Sequence, residues 1–146
     1  MKHISLPESI EEIPQGCFRE SGLEEIAIPR KVKKIIGAFE GCWNLRSVVF
    51  EHGSELAEIG NWAFSGCKSL KSICLPDNLR KIGTNVFNGC DNLVLTLPEG
   101  LTSIGEKWFK GSGIKEVHIP ASVQSIGEGS FKECKNLQKV TFAEGS

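Results

Sequence analysis

The chain reads as an α/β solenoid, a stack of about six to seven rungs of 22–24 residues. Each rung supplies one strand to a parallel β-sheet on the concave face and a short helical or 3₁₀ turn to the convex side. Three observations predict this. An isoleucine recurs at Ile13, Ile35, Ile59, Ile82, Ile104 and Ile126, and a phenylalanine follows each, at Phe18, Phe39, Phe64, Phe87, Phe109 and Phe131. Five of the six prolines (Pro7, Pro29, Pro76, Pro98 and Pro120) fall in one slot of the repeat. Repeats of this length are single supersecondary units that bury their apolar side only by stacking on a neighbour.

The copy Leu70–Asn92, LKSICLPDNLRKIGTNVFNGCDN, displays the elements in order. Leu-x-x-Ile-x-Leu alternates, the signature of a strand with one buried face. Proline ends it, because proline lacks the N–H that a ladder requires. The pair Leu79 and Ile82 turns a second apolar edge inward. The glycine that follows (Gly60, Gly83, Gly105 or Gly127) marks a turn that tolerates no Cβ. Asn-Val-Phe-Asn-Gly-Cys reads as one helical or 3₁₀ turn that closes the coil. The phenylalanines are expected to stack as a spine.

Copies differ by small insertions and deletions, which cost little in loops. Repeat two is one residue short between Ile35 and Phe39, and repeat five is one short between Leu93 and Leu97. Repeat three gains two residues around 51–55 and lacks the proline. Two copies end in Ser-Gly, at Ser21-Gly22 and Ser112-Gly113, where the others end in Cys-x-Asn/Ser.

Two motifs, Ile-Gly-x-x-x-Phe-x-Gly-Cys and Leu-x-x-Ile-x-Leu-Pro, recur at a fixed distance from about Ile4 to Phe142. This pattern resembles the BspA-like leucine-rich-repeat family. The resemblance implies a curved solenoid of leucine-rich-repeat type, often displayed on bacterial or protist surfaces and associated with adhesion to host proteins. It specifies a scaffold rather than a ligand.

The repeat also absorbs residues that would otherwise suggest chemistry. Cys42, Cys67, Cys90 and Cys134 share one slot, three residues after the phenylalanine, and Cys17 takes the small-residue slot before Phe18. Such cysteines are expected to be free, compact and buried. In-register neighbours about 4.8 Å apart with parallel side chains do not suit a disulfide. Cys74 differs, since it points outward from its strand. His3, His52 and His118 fall in rungs one, three and six, the outer two about 24 Å apart, so they cannot share a metal. No Cys-x-x-Cys pair, phosphate-cradling loop or Gly-x-Ser-x-Gly motif occurs, which argues against an enzyme, a cofactor or a structural zinc site. The basic run Arg30–Lys34 lies beside acidic residues in adjacent rungs. Glu12, Lys34, Glu58 and Lys81 are expected to form an ion-pair ladder. The formal net charge is −1, and no apolar run approaches the roughly 18 residues of a membrane span. Neither nucleic acid nor membrane insertion is indicated.

The outward strand positions make the candidate binding face: Glu25 and Ala27, Ser47 and Val49, Ser72 and Cys74, Val94 and Thr96, Glu116 and His118. His3, Ser5, Lys139 and Thr141 extend it. Ala27, Val49, Cys74 and Val94 give it a weakly apolar centre with a polar rim, as an interface requires. Small residues that merely ease sheet curvature are the competing reading. Trp43 and Trp62 are secondary candidates, as exposed tryptophans often anchor interfaces. Trp108 implies local repacking.

Two functions follow. One is a module that binds a protein, or else a glycan, on a cell-surface or secreted protein; the absence of a signal peptide leaves a cytoplasmic home open. The other is a spacer or self-associating segment. Residues 143–146 match the start of the inserted segment of repeat three, so residues 1–146 are expected to be one solenoid domain of a longer repeat protein. No dedicated polar cap is evident, which leaves end-to-end association open.

Overall fold

A computed structural model describes residues 3–144. The first rung holds β1 (His3–Ile4) and β2 (Glu12–Ile13), and the second β3 (Glu25–Ile28) and β4 (Lys34–Ile35). The third holds β5 (Ser47–Phe50) and β6 (Glu58–Ile59), and the fourth β7 (Ser72–Cys74) and β8 (Lys81–Ile82). The fifth holds β9 (Val94–Thr96) and β10 (Ser103–Ile104), the sixth β11 (Glu116–Ile119) and β12 (Ser125–Ile126), and β13 (Lys139–Phe142) follows. All pairing is parallel and between successive rungs, so the chain is a parallel β-solenoid.

The first strands of rungs one to five form a five-stranded sheet, β1-β3-β5-β7-β9, and the second strands of rungs one to four form β2-β4-β6-β8. Both are then interrupted. β10 pairs only with β12, and β11 only with β13. Rung five is therefore the seam of the stack, continuous on the first sheet with rung four and on the second with rung six.

The alternation read from sequence is reproduced: Ile26 and Ile28 point inward and are buried, Glu25 and Ala27 outward and exposed. The phenylalanine spine forms as expected. Phe18, Phe39, Phe64, Phe87, Phe109 and Phe131 stack with centroids 5.4–5.9 Å apart and planes within 15°. Such ring pairs contribute about 0.5–1.5 kcal/mol each beyond the apolar area they bury.

The convex side departs from expectation, for no helix occurs among the described residues. Two residues per rung take left-handed backbone, such as Trp62 (φ 65°) with Gly66 (φ 75°), and Asn85 (φ 55°) with Gly89 (φ 74°). Contiguous right-handed residues, which any helix needs, are thereby limited to the short segment between them. The amides go to the next rung instead: Phe39 N to Ala63 O at 3.0 Å, Phe64 N to Val86 O at 3.1 Å, and Phe87 N to Trp108 O at 2.9 Å. The convex turns are thus a third ladder, satisfying their backbone between rungs.

The glycine before each turn also has a different cause from the one expected. Gly83 and Gly105 do not adopt positive φ. A Cβ at Gly105 would lie 2.4 Å from Gly83 O, so the slot is set by close approach of the neighbouring rung. Cys17 is a second correction. It is exposed, because among the described residues no rung packs on the far side of its turn, whereas Ala38 and Ala63 in the same slot are buried.

Candidate functional site

The register assembles the outward face in two columns. His3, Glu25, Ser47, Ser72 and Val94 follow one another across the five-stranded sheet. Ala27 lies beside Val49, and Cys74 beside Thr96, in the second. Val94 stands opposite Ser72, and Thr96 opposite Cys74, as the outward positions read from sequence are ordered, so the line Ala27, Val49, Cys74 and Val94 crosses from one column to the other. The apolar strip is therefore bent, with Val49 56% and Val94 69% exposed along it. Glu25, Ala27, Ser72, Cys74 and Thr96 are exposed, and Ser47 is half-buried.

Glu116 and His118 stand across the seam. They pair with Lys139 and Thr141 in the separate β11-β13 sheet, where His118 Nδ1 and Thr141 Oγ1 are 2.8 Å apart. At the other flank, His3 approaches Glu25 at 3.8 Å, and Arg46 meets Glu24 at 3.2 Å. The ten candidate residues thus form a four-rung patch with a weakly apolar centre and a smaller polar patch beyond it.

Trp43 and Trp62 are both exposed on the convex turns, apart from this face. Trp108 is fully buried: its Nε1 donates to Gly83 O at 2.8 Å, and its ring stands edge-on to Phe87 and Phe109. The expected repacking is real.

The slot cysteines have a structural role. Cys42 Sγ donates to Phe18 O at 3.0 Å, Cys67 to Phe39 O at 3.2 Å, Cys90 to Phe64 O at 3.2 Å and Cys134 to Phe109 O at 2.8 Å. Each thiol ties one rung to the one before it, and all six cysteines are free. Burial pushes the thiols of Cys42, Cys67 and Cys90 above the ordinary value, which keeps them protonated as donors and poor nucleophiles.

The charge ladder forms in part. Glu12, Lys34, Glu58 and Lys81 are in register, and Glu58 lies 3.7 Å from both Lys34 and Lys81. At the first step the contact is made one residue earlier, by Lys33 Nζ and Glu11 Oε1 at 2.9 Å. Their hydrogen bond lowers the pKa of Glu11 and raises that of Lys33. Lys33 and Lys34 of the basic run are thus paired with carboxylates of the adjacent rungs.

One feature escaped the sequence reading. Where the first sheet breaks, between β9 and β11, a cavity of about 680 Å³ opens, lined by Asn92, Val94, Lys115, Glu116 and Gln138 among others. The signal was the residue missing from repeat five between Leu93 and Leu97. Among the described residues there is no group of three or more potential metal ligands and no helix long and apolar enough to cross a membrane.

Comparison with known proteins bears on this architecture directly. The BspA type leucine rich repeat region matches in six copies, over residues 1–96 and 57–146. No curated protein matches the chain. Among solved structures, the pneumococcal vaccine antigen PcpA superposes with a TM-score of 0.89 at 25% identity, over 99% of this chain and 41% of that one. A leucine-rich-repeat protein of T. pallidum gives 0.76 at 34%, over 80% of this chain and 57% of that one. A leucine-rich cell surface protein of Faecalibacterium prausnitzii gives 0.69 at 25%, over 97% and 48%. The chain therefore spans about two fifths to three fifths of the length of these proteins. With the repeat, the parallel rungs and the family match agreeing over nearly its whole length, the chain belongs to the BspA type leucine-rich-repeat family.

Proposed function

We propose that the chain is a non-enzymatic protein-binding module acting through the outward face of β3, β5, β7 and β9, as one solenoid domain of a longer cell-surface or secreted protein. The observation that carries this reading is the bent strip Ala27, Val49, Cys74 and Val94, exposed on a continuous ladder and bordered by Glu25, Ser72 and Thr96. Exposed apolar side chains held on a rigid backbone and ringed by polar ones suit a partner's anchor residues. Proteins built from leucine-rich repeats commonly bind proteins, and one similar structure is that of a cell surface protein. Adhesion to host proteins accords with both. The test is binding of immobilised extracellular-matrix proteins by the wild-type chain and by Val49→Lys and Cys74→Lys variants. Loss of binding in both, with folding intact, supports the reading.

A second reading rests on a different observation. Ile126, Val140 and Phe142 are 42%, 36% and 59% exposed, whereas Ile104, Val117 and Ile119, their counterparts one rung earlier, are at most 3% exposed. That apolar cross-section suits a further rung or a second copy, so the segment would act as a spacer or stack on itself. Light scattering across a range of protein concentrations distinguishes the two: a mass that does not grow with concentration counts against self-stacking.

A further inference from the structure

We infer that the gap at rung five is a binding site for a short neutral oligosaccharide. The gap has a covalent origin. In the other rungs the residue after the first leucine or isoleucine runs Glu24, Arg46, Lys71, Lys115, Gln138; rung five has none there. Val94 follows Leu93 directly and takes the ladder position opposite Ser72, its N–H donating to Lys71 O at 2.7 Å, so no residue of rung five stands opposite Lys71 itself. The strand then ends after three residues, and β11 finds no ladder partner on that side. The result is a recess of about 680 Å³, within the ~300–1,000 Å³ usual for small-molecule sites. It is too short a break in the sheet to seat another strand, since β9 and β11 still approach each other within 8 Å at several positions.

The lining selects the chemistry. Four charged side chains surround the recess, Asp91 and Glu116 against Lys115 and Lys139, so their charges cancel. None of the four makes an ion pair among the described residues. Carboxamides add to them: Gln138 makes no side-chain hydrogen bond among the described residues, and Asn92 uses only its Nδ2, donating to Lys68 O at 3.2 Å. A neutral recess rich in both donors and acceptors disfavours a phosphate, a polyanion or a cation. It matches hydroxyl groups, each of which donates once and accepts twice. Val94, 69% exposed at the rim, offers an apolar surface to the C–H face of a sugar ring. This site shares Val94 with the proposed protein-binding strip, but its polar lining and the Val49 and Cys74 of the strip are separate, so either can fail alone.

The experiment uses the full chain against maltotriose, cellotriose, chitotriose and N-acetyllactosamine, with sialyllactose and a heparin disaccharide as acidic controls, read by calorimetry. The decisive variant inserts one lysine between Leu93 and Val94, restoring the spacing of the other rungs and filling the recess. We expect at least one neutral sugar to bind the wild type, with affinity falling by about tenfold or more in the insertion variant at an unchanged or higher melting temperature. If the insertion does not fold, the double variant Asp91→Ala/Gln138→Ala replaces it, with the same expected loss. No binding of any neutral sugar, binding of the acidic controls alone, or binding unchanged by filling the recess overturns the inference.

Discussion

Cys67 Sγ lies 3.2 Å from the carbonyl oxygen of Phe39, one rung back in the stack. The thiol is buried and its pKa is raised by desolvation, so it donates and does not ionise. Cys67→Ala should therefore cost about 1–3 kcal/mol, from a small cavity and the loss of the thiol donor to Phe39 O, which keeps only the Cys42 N–H at 3.1 Å. Urea unfolding monitored by tryptophan fluorescence measures it.

Thiol accessibility follows the same geometry. Cys17 and Cys74 are exposed, while Cys42, Cys67 and Cys90 are buried. A thiol reagent applied to the native chain should label Cys17 and Cys74 first, identified by mass spectrometry. Rapid labelling of Cys67 or Cys90 would contradict the stacked core.

Gly105 is held by its neighbour. A Cβ there would fall 2.4 Å from Gly83 O, the atom that also accepts the Trp108 indole at 2.8 Å. Gly105→Ala should destabilise by about 1–3 kcal/mol, typical of overpacking against an atom that cannot retreat. Thermal denaturation checks it, and an unchanged midpoint would show that the rungs are further apart.

Glu58 is placed between Lys34 and Lys81, 3.7 Å from each. Lys34→Glu should lower stability by about 0.2–1 kcal/mol, and the difference should shrink in high salt. The neighbouring Glu11–Lys33 pair sets a pH window. The depressed Glu11 carboxyl contributes above its unfolded pKa and loses that contribution as pH falls through its folded value; the raised Lys33 amine contributes below its unfolded pKa and loses it as pH rises through its folded value. Both residues lie at the surface, so the effect on melting temperature should be small and largest near neutral pH.

Much of this was legible in sequence because the repeat multiplies weak signals. A single Ile-Gly-x-x-x-Phe is ambiguous, but six in register define rung length, strand direction and the phenylalanine spine. What was not legible depended on neighbours. The convex turns read as helical because Asn-Val-Phe-Asn carries ordinary turn composition; the left-handed backbone of Asn85 and the export of the Phe87 amide to Trp108 O follow from the adjacent rung. Val94 and Thr96 fall opposite Ser72 and Cys74 as read, but the break in the sheet beyond them depends on how rung six meets a rung one residue short, which no single copy displays. Trp108 was read correctly as a repacking site because it replaces a small residue in a slot that other copies keep small.

The central functional claim concerns the strip through Val49 and Cys74, and one measurement addresses it most directly. The wild-type chain and the Val49→Lys/Cys74→Lys double variant, matched for melting temperature, are titrated over a panel of immobilised extracellular-matrix proteins by biolayer interferometry. The account predicts saturable binding of at least one protein by the wild type, weakened by about tenfold or more in the double variant. Equal affinity in the two would contradict it.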